Sequence, residues 1–107
     1  MMKFSIELGI RRASLNTVAE AASELFGTRP RGHYSDYRGG DYFRFNTEGE
    51  SAIIQSNRDC DDIAEEDHPD VEVLVIIDPT VRPDAVSSFF AGKFDCVVIR
   101  RGTYPVE

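Results

Sequence analysis

Hydrophobic and polar residues alternate near the start of the chain, where Phe4, Ile6, Leu8 and Ile10 are interleaved with Lys3, Ser5, Glu7 and Gly9. A period of two predicts a strand with one buried face. The spacing changes from Leu15: Leu15, Val18, Ala19, Ala22, Leu25 and Phe26 recur at helical intervals, and Gly27 stands where a helix-ending glycine belongs. An amphipathic helix is expected, begun by Ser14 as N-cap or by a capping box from Thr17 to Glu20.

Residues 28–40 hold a proline, three glycines and a mixture of Arg, His, Tyr and Asp, which predicts an irregular loop. Tyr42–Phe45 and Ala52–Gln55 flank the turn cluster Asn46–Glu50 and predict an antiparallel hairpin. Val71–Ile77 is apolar on both faces in its second half, as in a central strand, and Asp78-Pro79 is expected to end it. Pro83 is placed for the first turn of a short helix whose Val86, Phe89 and Phe90 share a face before Gly92. Phe94–Ile99 supplies a last strand, after which Arg100-Arg101-Gly102 returns the chain to solvent.

The element order is thus β-α-β-β-β-α-β, an α/β (α+β) class. A strand–helix–strand succession favours a parallel crossover, and the three middle strands favour a meander. The expected architecture is a mixed sheet of about five strands with both helices on one face and the opposite face half open. A ferredoxin-like arrangement is a near neighbour. At 107 residues, one domain spanning the whole chain is the natural size, burying roughly two-thirds of the unfolded surface.

Charge changes this picture more than composition does. The net charge of -7 is divided unevenly: residues 1–58 carry eight Lys/Arg and seven Asp/Glu, whereas residues 59–107 carry four and twelve. Asp59, Asp61, Asp62, Glu65, Glu66, Asp67, Asp70 and Glu72 follow one another with no Lys or Arg between them. Such a block repels nucleic acid and attracts a basic partner, and its length exceeds the usual connection between strands. The longest apolar run, Val73–Ile77, is too short to span a bilayer, and Glu7 interrupts the N-terminal apolar stretch, against a secretory signal. With only Cys60 and Cys96, a disulfide framework is not expected, so the predicted location is cytoplasmic, with reduced thiols.

Candidate chemistry is sparse. His33, Ser35 and Asp36 are the residue types of a hydrolase triad but crowd into four positions, where neighbouring side chains diverge rather than converge. Asp59, Cys60, Asp61, Asp62 and His68 match neither a zinc nor a calcium spacing, and Gly32, Gly39 and Gly40 lack the context of a phosphate loop. No catalytic residue, metal or cofactor is expected. Arg29, Arg31, His33, Tyr34, Tyr37 and Arg38 interleave bases with aromatics, the composition of a single-stranded nucleic-acid platform. The plainer alternative is that these arginines pair with Asp36 and Asp41 and brace a loop.

The opening MKFSIELGIRR, the stretch GHYSDYRGGDYFRF, the acidic RDCDDIAEEDHPD and the strand VEVLVIID together resemble bacterial immunity proteins paired with contact-dependent growth inhibition and related polymorphic toxins. The likeness runs along the chain and lies in size, acidity and a one-domain α/β build, so no site residue is carried over by motif. The resemblance implies a non-enzymatic inhibitor that binds a cognate basic toxin domain in the cytosol, commonly an RNase, tRNase or DNase. Carboxylates would then occupy the groove meant for phosphates. Under that implication Asp59, Asp61, Asp62, Glu65, Glu66 and Asp67 steer and neutralise, while Asp36, Asp41, Tyr34, Tyr37 and Tyr42 fix register. The partner is a protein rather than nucleic acid or membrane, and the inhibitor is a monomer or weak homodimer. The alternatives are a small adaptor that pairs through a sheet edge, and a single-stranded nucleic-acid binder using residues 29–44.

Overall fold

The computed structural model describes residues 2–35, 40–58 and 63–105, the side chains of Tyr34, Ser35 and Tyr104 excepted. The alternating start of the chain forms β1 (Met2–Arg11), with Ile6, Leu8 and Ile10 buried beneath two helices. Helix α1 (Leu15–Phe26) opens at Ser14, whose hydroxyl accepts from the Thr17 amide, and closes at Gly27 in the left-handed region with φ 67°. The chain continues through β2 (Arg31–Ser35), β3 (Gly40–Thr47), β4 (Glu50–Ser56), β5 (Val73–Thr80), α2 (Pro83–Lys93) and β6 (Asp95–Pro105).

The class is α+β with both helices on one face, as the patterning predicts, but the strands number six and lie in the order β2-β3-β4-β5-β1-β6. Residues 28–40 are not all loop: Arg31–Ser35 pair with β3, giving the sheet an edge strand that hydrophobic alternation does not announce. The meander holds, since β3, β4 and β5 are antiparallel neighbours. The mixed sheet does not, because β1 inserts between β5 and β6 and pairs antiparallel with both. The parallel crossover through α2 is therefore split, and every neighbouring pair is antiparallel. The four strands β4-β5-β1-β6 with their two helices follow the split βαβ order of ferredoxin-like folds, extended by the β2–β3 hairpin.

Beneath the helices, Ile6, Leu8, Phe45, Ile54, Val75 and Ile77 meet Val18, Ala22 and Phe26 of α1 and Val86 and Phe90 of α2. Helix α1 lies over β3 and β4, and α2 over β1 and β6. The connection into α2 is pinned by Glu50, which accepts from the Thr80 hydroxyl at 2.7 Å and from both Nε and Nη2 of Arg82. Burial pushes the Glu50 carboxyl up, yet Arg82 and Thr80 hold it below its ordinary value. Two strands also outlast their predicted ends: β5 passes through Asp78-Pro79 to Thr80, and β6 runs past Arg100 and Arg101 to Pro105. The double arginine thus lies within the ladder opposite Ile6 and Glu7 rather than in a departing loop.

Candidate functional site

The helix-free face of the sheet carries the polar alternates. Pairing registers place Arg31, Arg44, Ile53, Ile76, Glu7 and Arg100 in one row across all six strands, and His33, Tyr42, Gln55, Leu74, Gly9 and Val97 in the next. Leu74 is buried although no helix covers it. Its cover is the connection between β4 and β5, which folds back over this face.

Asn57, only 4% exposed, organises that fold-back. Its side-chain amide donates to the carbonyls of His68 and Val71, each at 2.9 Å, while its Oδ1 accepts from the Glu65 amide at 2.9 Å. Its backbone amide donates to the Glu72 carbonyl, and the Glu72 amide donates to the Ile10 carbonyl. Val71 is set down on Gly9, where an added Cβ would lie 2.8 Å from Val71 Cγ2 and 3.0 Å from Ile99 Cδ1. A glycine is needed in β1 there because the connection occupies the space of a side chain.

This geometry turns part of the acidic run inward. The Arg100 guanidinium donates from Nη1 to Glu7 Oε1 at 2.7 Å and to Glu65 Oε1 at 2.5 Å, and from Nη2 to Glu65 Oε2 at 3.1 Å. Two carboxyls and one guanidinium converge, with the Glu7 and Glu65 side chains only 10% and 15% exposed. Burial, then hydrogen bonding and repulsion from Glu65, push the Glu7 carboxyl up to about 7, while Arg100 holds Glu65 below its ordinary value. The remaining Glu7 oxygen, Oε2, is buried without a hydrogen-bond partner among the described residues. Beside the cluster, a cavity of about 270 Å³ is lined by Ser5, Glu7, Asp78, Arg100 and Arg101. Farther along, Arg11 pairs with Asp70 and, at 3.1 Å, with Asp95.

The sequence-derived acidic site therefore divides. Glu65 is not a free steering charge, because Arg100, 35 residues away in sequence, neutralises it. Glu66 and Asp67 are exposed at the rim of the connection, as is Glu72. Asp59, Asp61 and Asp62 lie outside the described residues, as do Asp36 and Tyr37 of the register set. Asp41 is exposed and Tyr42 half-buried, and both line a cavity of about 690 Å³ between the start of α1 and the β2–β3 hairpin. Tyr34 stands in β2 opposite Asp41. Of the alternative brace, Arg38 and Asp36 lie outside the described residues, and Arg29 and Arg31 make no ion pair with Asp41; Arg44 likewise makes none among the described residues.

Sequence reasoning missed Asn57, Glu7 and Arg100 as a unit. The only hint was an acid on the polar side of a strand whose outer face had no assigned cover. Chemically, the cluster can hold one proton between two carboxyls beside the cavity that Glu7 and Arg100 line. Through the Arg100 contacts to Glu7 and Glu65 it also clasps the connection to the sheet. Among the described residues, no group of three or more His, Cys, Asp or Glu could hold a metal ion, and no helix is long and apolar enough to cross a membrane.

Replacing Asn57 with Ala should release this connection while leaving the helix-side core in place. Three hydrogen bonds are lost, one buried and two part-buried, at a cost of roughly 2–3 kcal/mol. Hydrogen exchange should accelerate at amides 64–72 and remain slow in β1 and β5. Uniform acceleration across the sheet, or none in that segment, would contradict this role. Compared with protein-family models, curated proteins and solved structures, the chain matches none.

Proposed function

We propose that this domain is a protein-binding inhibitor of the immunity type, whose partner is a basic, nuclease-like toxin domain in the same cell. The observation that carries the reading is the anchoring of the β4–β5 connection. Asn57, Val71 and the Glu65–Arg100 pair hold its framework to the sheet, while Glu66, Asp67 and Glu72 remain at its exposed rim. Fixed carboxylates lose little entropy on meeting a partner and produce a field that accelerates its approach. In this reading Asp59, Asp61 and Asp62 add steering charge, and Asp36, Asp41, Tyr34, Tyr37 and Tyr42 contribute register. Glu65 is a positioning residue that shapes the rim through Arg100.

The test is binding to a small basic domain encoded at the end of the adjacent upstream reading frame, measured by stopped-flow across a salt series. Changing Asp59, Asp61, Asp62, Glu66 and Asp67 together to Asn or Gln should slow association by about tenfold or more and flatten its salt dependence, with a smaller change in dissociation. Unchanged affinity and salt slope would remove the acidic rim from the mechanism. Failure to bind any such domain would remove the inhibitor role itself.

A further inference from the structure

At the end of the sheet away from the acidic connection, Arg31 lies directly opposite Arg44 in the β2–β3 ladder. Arg29, two residues ahead of β2, joins them around a cavity of about 390 Å³ that Thr28 and Asn46 also line. Like charges in direct cross-strand register destabilise a sheet. In a chain with nineteen carboxylates, guanidiniums normally find an acid, and Arg11, Arg12, Arg82, Arg100 and Arg101 all do so. Among the described residues, Arg29, Arg31 and Arg44 do not. Glu50, in the strand next to β3, is engaged by Arg82. Asn46 is held by the Ser51 hydroxyl at 2.8 Å, which fixes one wall of the cavity.

On the same face of the ladder, two positions along each strand, His33 and Tyr42 stack with ring centroids 5.2 Å apart and planes within 20°. The strand rise puts this ring pair about 7 Å from the Arg31–Arg44 pair. Guanidiniums clustered around a pocket suit an anion with several oxygens, which each can grip in two-pronged fashion. A π face at that distance suits a ring attached to the anion. We propose that the Arg29–Arg31–Arg44 cavity is a binding site for a phosphate-bearing anion, and that a nucleotide held there sets its base beside the His33–Tyr42 stack. The net charge of -7 does not oppose this, because a phosphate in contact with three guanidiniums responds to them far more strongly than to screened carboxylates across the molecule. The proposal does not depend on the inhibitor reading.

The experiment titrates the intact chain at low salt with inorganic phosphate, a mononucleotide, a short single-stranded oligonucleotide and polyglutamate of matched charge, by calorimetry and by shift in melting temperature. The wild type should bind the phosphate probes, and R31Q and R44Q should each weaken binding roughly tenfold or more. R31K/R44K should recover only part of it, because the charge returns without the planar fork. Tighter binding of the mononucleotide than of phosphate, lost in a Tyr42→Ala variant, identifies a nucleotide; a further gain with the oligonucleotide, with a steeper salt slope, identifies a strand. Without ligand, R31Q should melt no lower than wild type, since a cross-strand repulsion is removed. The proposal is overturned if no phosphate probe binds, if R31Q/R44Q binds as wild type does, or if polyglutamate binds as tightly as the oligonucleotide.

Discussion

Between pH 5 and pH 8 the protein should become less stable as pH rises, and a Glu7→Gln variant should not. Glu7 has an ordinary value near 4.5 when exposed and about 7 in the folded chain. The folded state thus holds this proton more tightly, so its contribution is complete below 4.5 and is lost as pH climbs through 7. Glu65, held below its ordinary value, acts with the opposite sign, but only below the range in which Glu7 titrates. The stability maximum should therefore lie near pH 5, at the acid end of the usual range. In the variant, the new side-chain amide can accept from Arg100 and donate toward Glu65 without a proton to lose, so it should exceed wild type at pH 8 by about 2 kcal/mol. That corresponds to a gain in Tm of roughly 8 °C or more. Arg100→Ala should do the reverse at pH 8, costing about 1–2 kcal/mol by leaving two carboxylates face to face, a loss that solvent around the exposed guanidinium moderates, and less at pH 5 where a proton can sit between them. A Tm that is flat or rising from pH 5 to pH 8 in the wild type would show that the clasp does not hold a proton.

The second large effect is expected in the core. Phe90 is fully buried, meets the ring of Phe89 edge-on at 5.2 Å and stacks with Phe94 at 6.5 Å. It is the largest fully buried side chain by which α2 grips β1 and β6. Phe90→Ala removes that area from the core and leaves a cavity, which costs about 3–5 kcal/mol. Domains of this size are stable by about 5–15 kcal/mol, so the variant should keep a cooperative transition but unfold at much lower urea. Phe89→Ala, at a half-buried position, should cost about 1 kcal/mol by the smaller area it removes from water. Equal losses from the two substitutions, measured by urea midpoint, would mean that α2 is not anchored through Phe90.

Much of the architecture is local in origin and legible in the sequence. Alternation in β1, helical spacing in α1, the Ser14 and Gly27 ends, the hairpin of β3 and β4 and the proline at the start of α2 are patterns within about a dozen residues. Each is set by backbone geometry and by which side chains must leave water. The sixth strand is not legible, because Arg31–Ser35 has no apolar alternation of its own and becomes a strand by pairing with β3. Insertion of β1 between β5 and β6 is equally hidden, since both arrangements satisfy the same local pattern and only the packing of the whole sheet selects one.

The charges divide in the same way. Sequence alone determined that the second half is acidic and where its carboxylates fall. Only the tertiary structure decided which of them are paired, because the partners of Glu65 and Asp70 are Arg100 and Arg11, brought from opposite ends of the chain. It likewise gathered Arg29, Arg31 and Arg44 around one cavity with no acid paired to them among the described residues, although Asp41 is near in sequence. A charge's environment is a sum over neighbours in space, and neighbours in space are known only once the strands are in order.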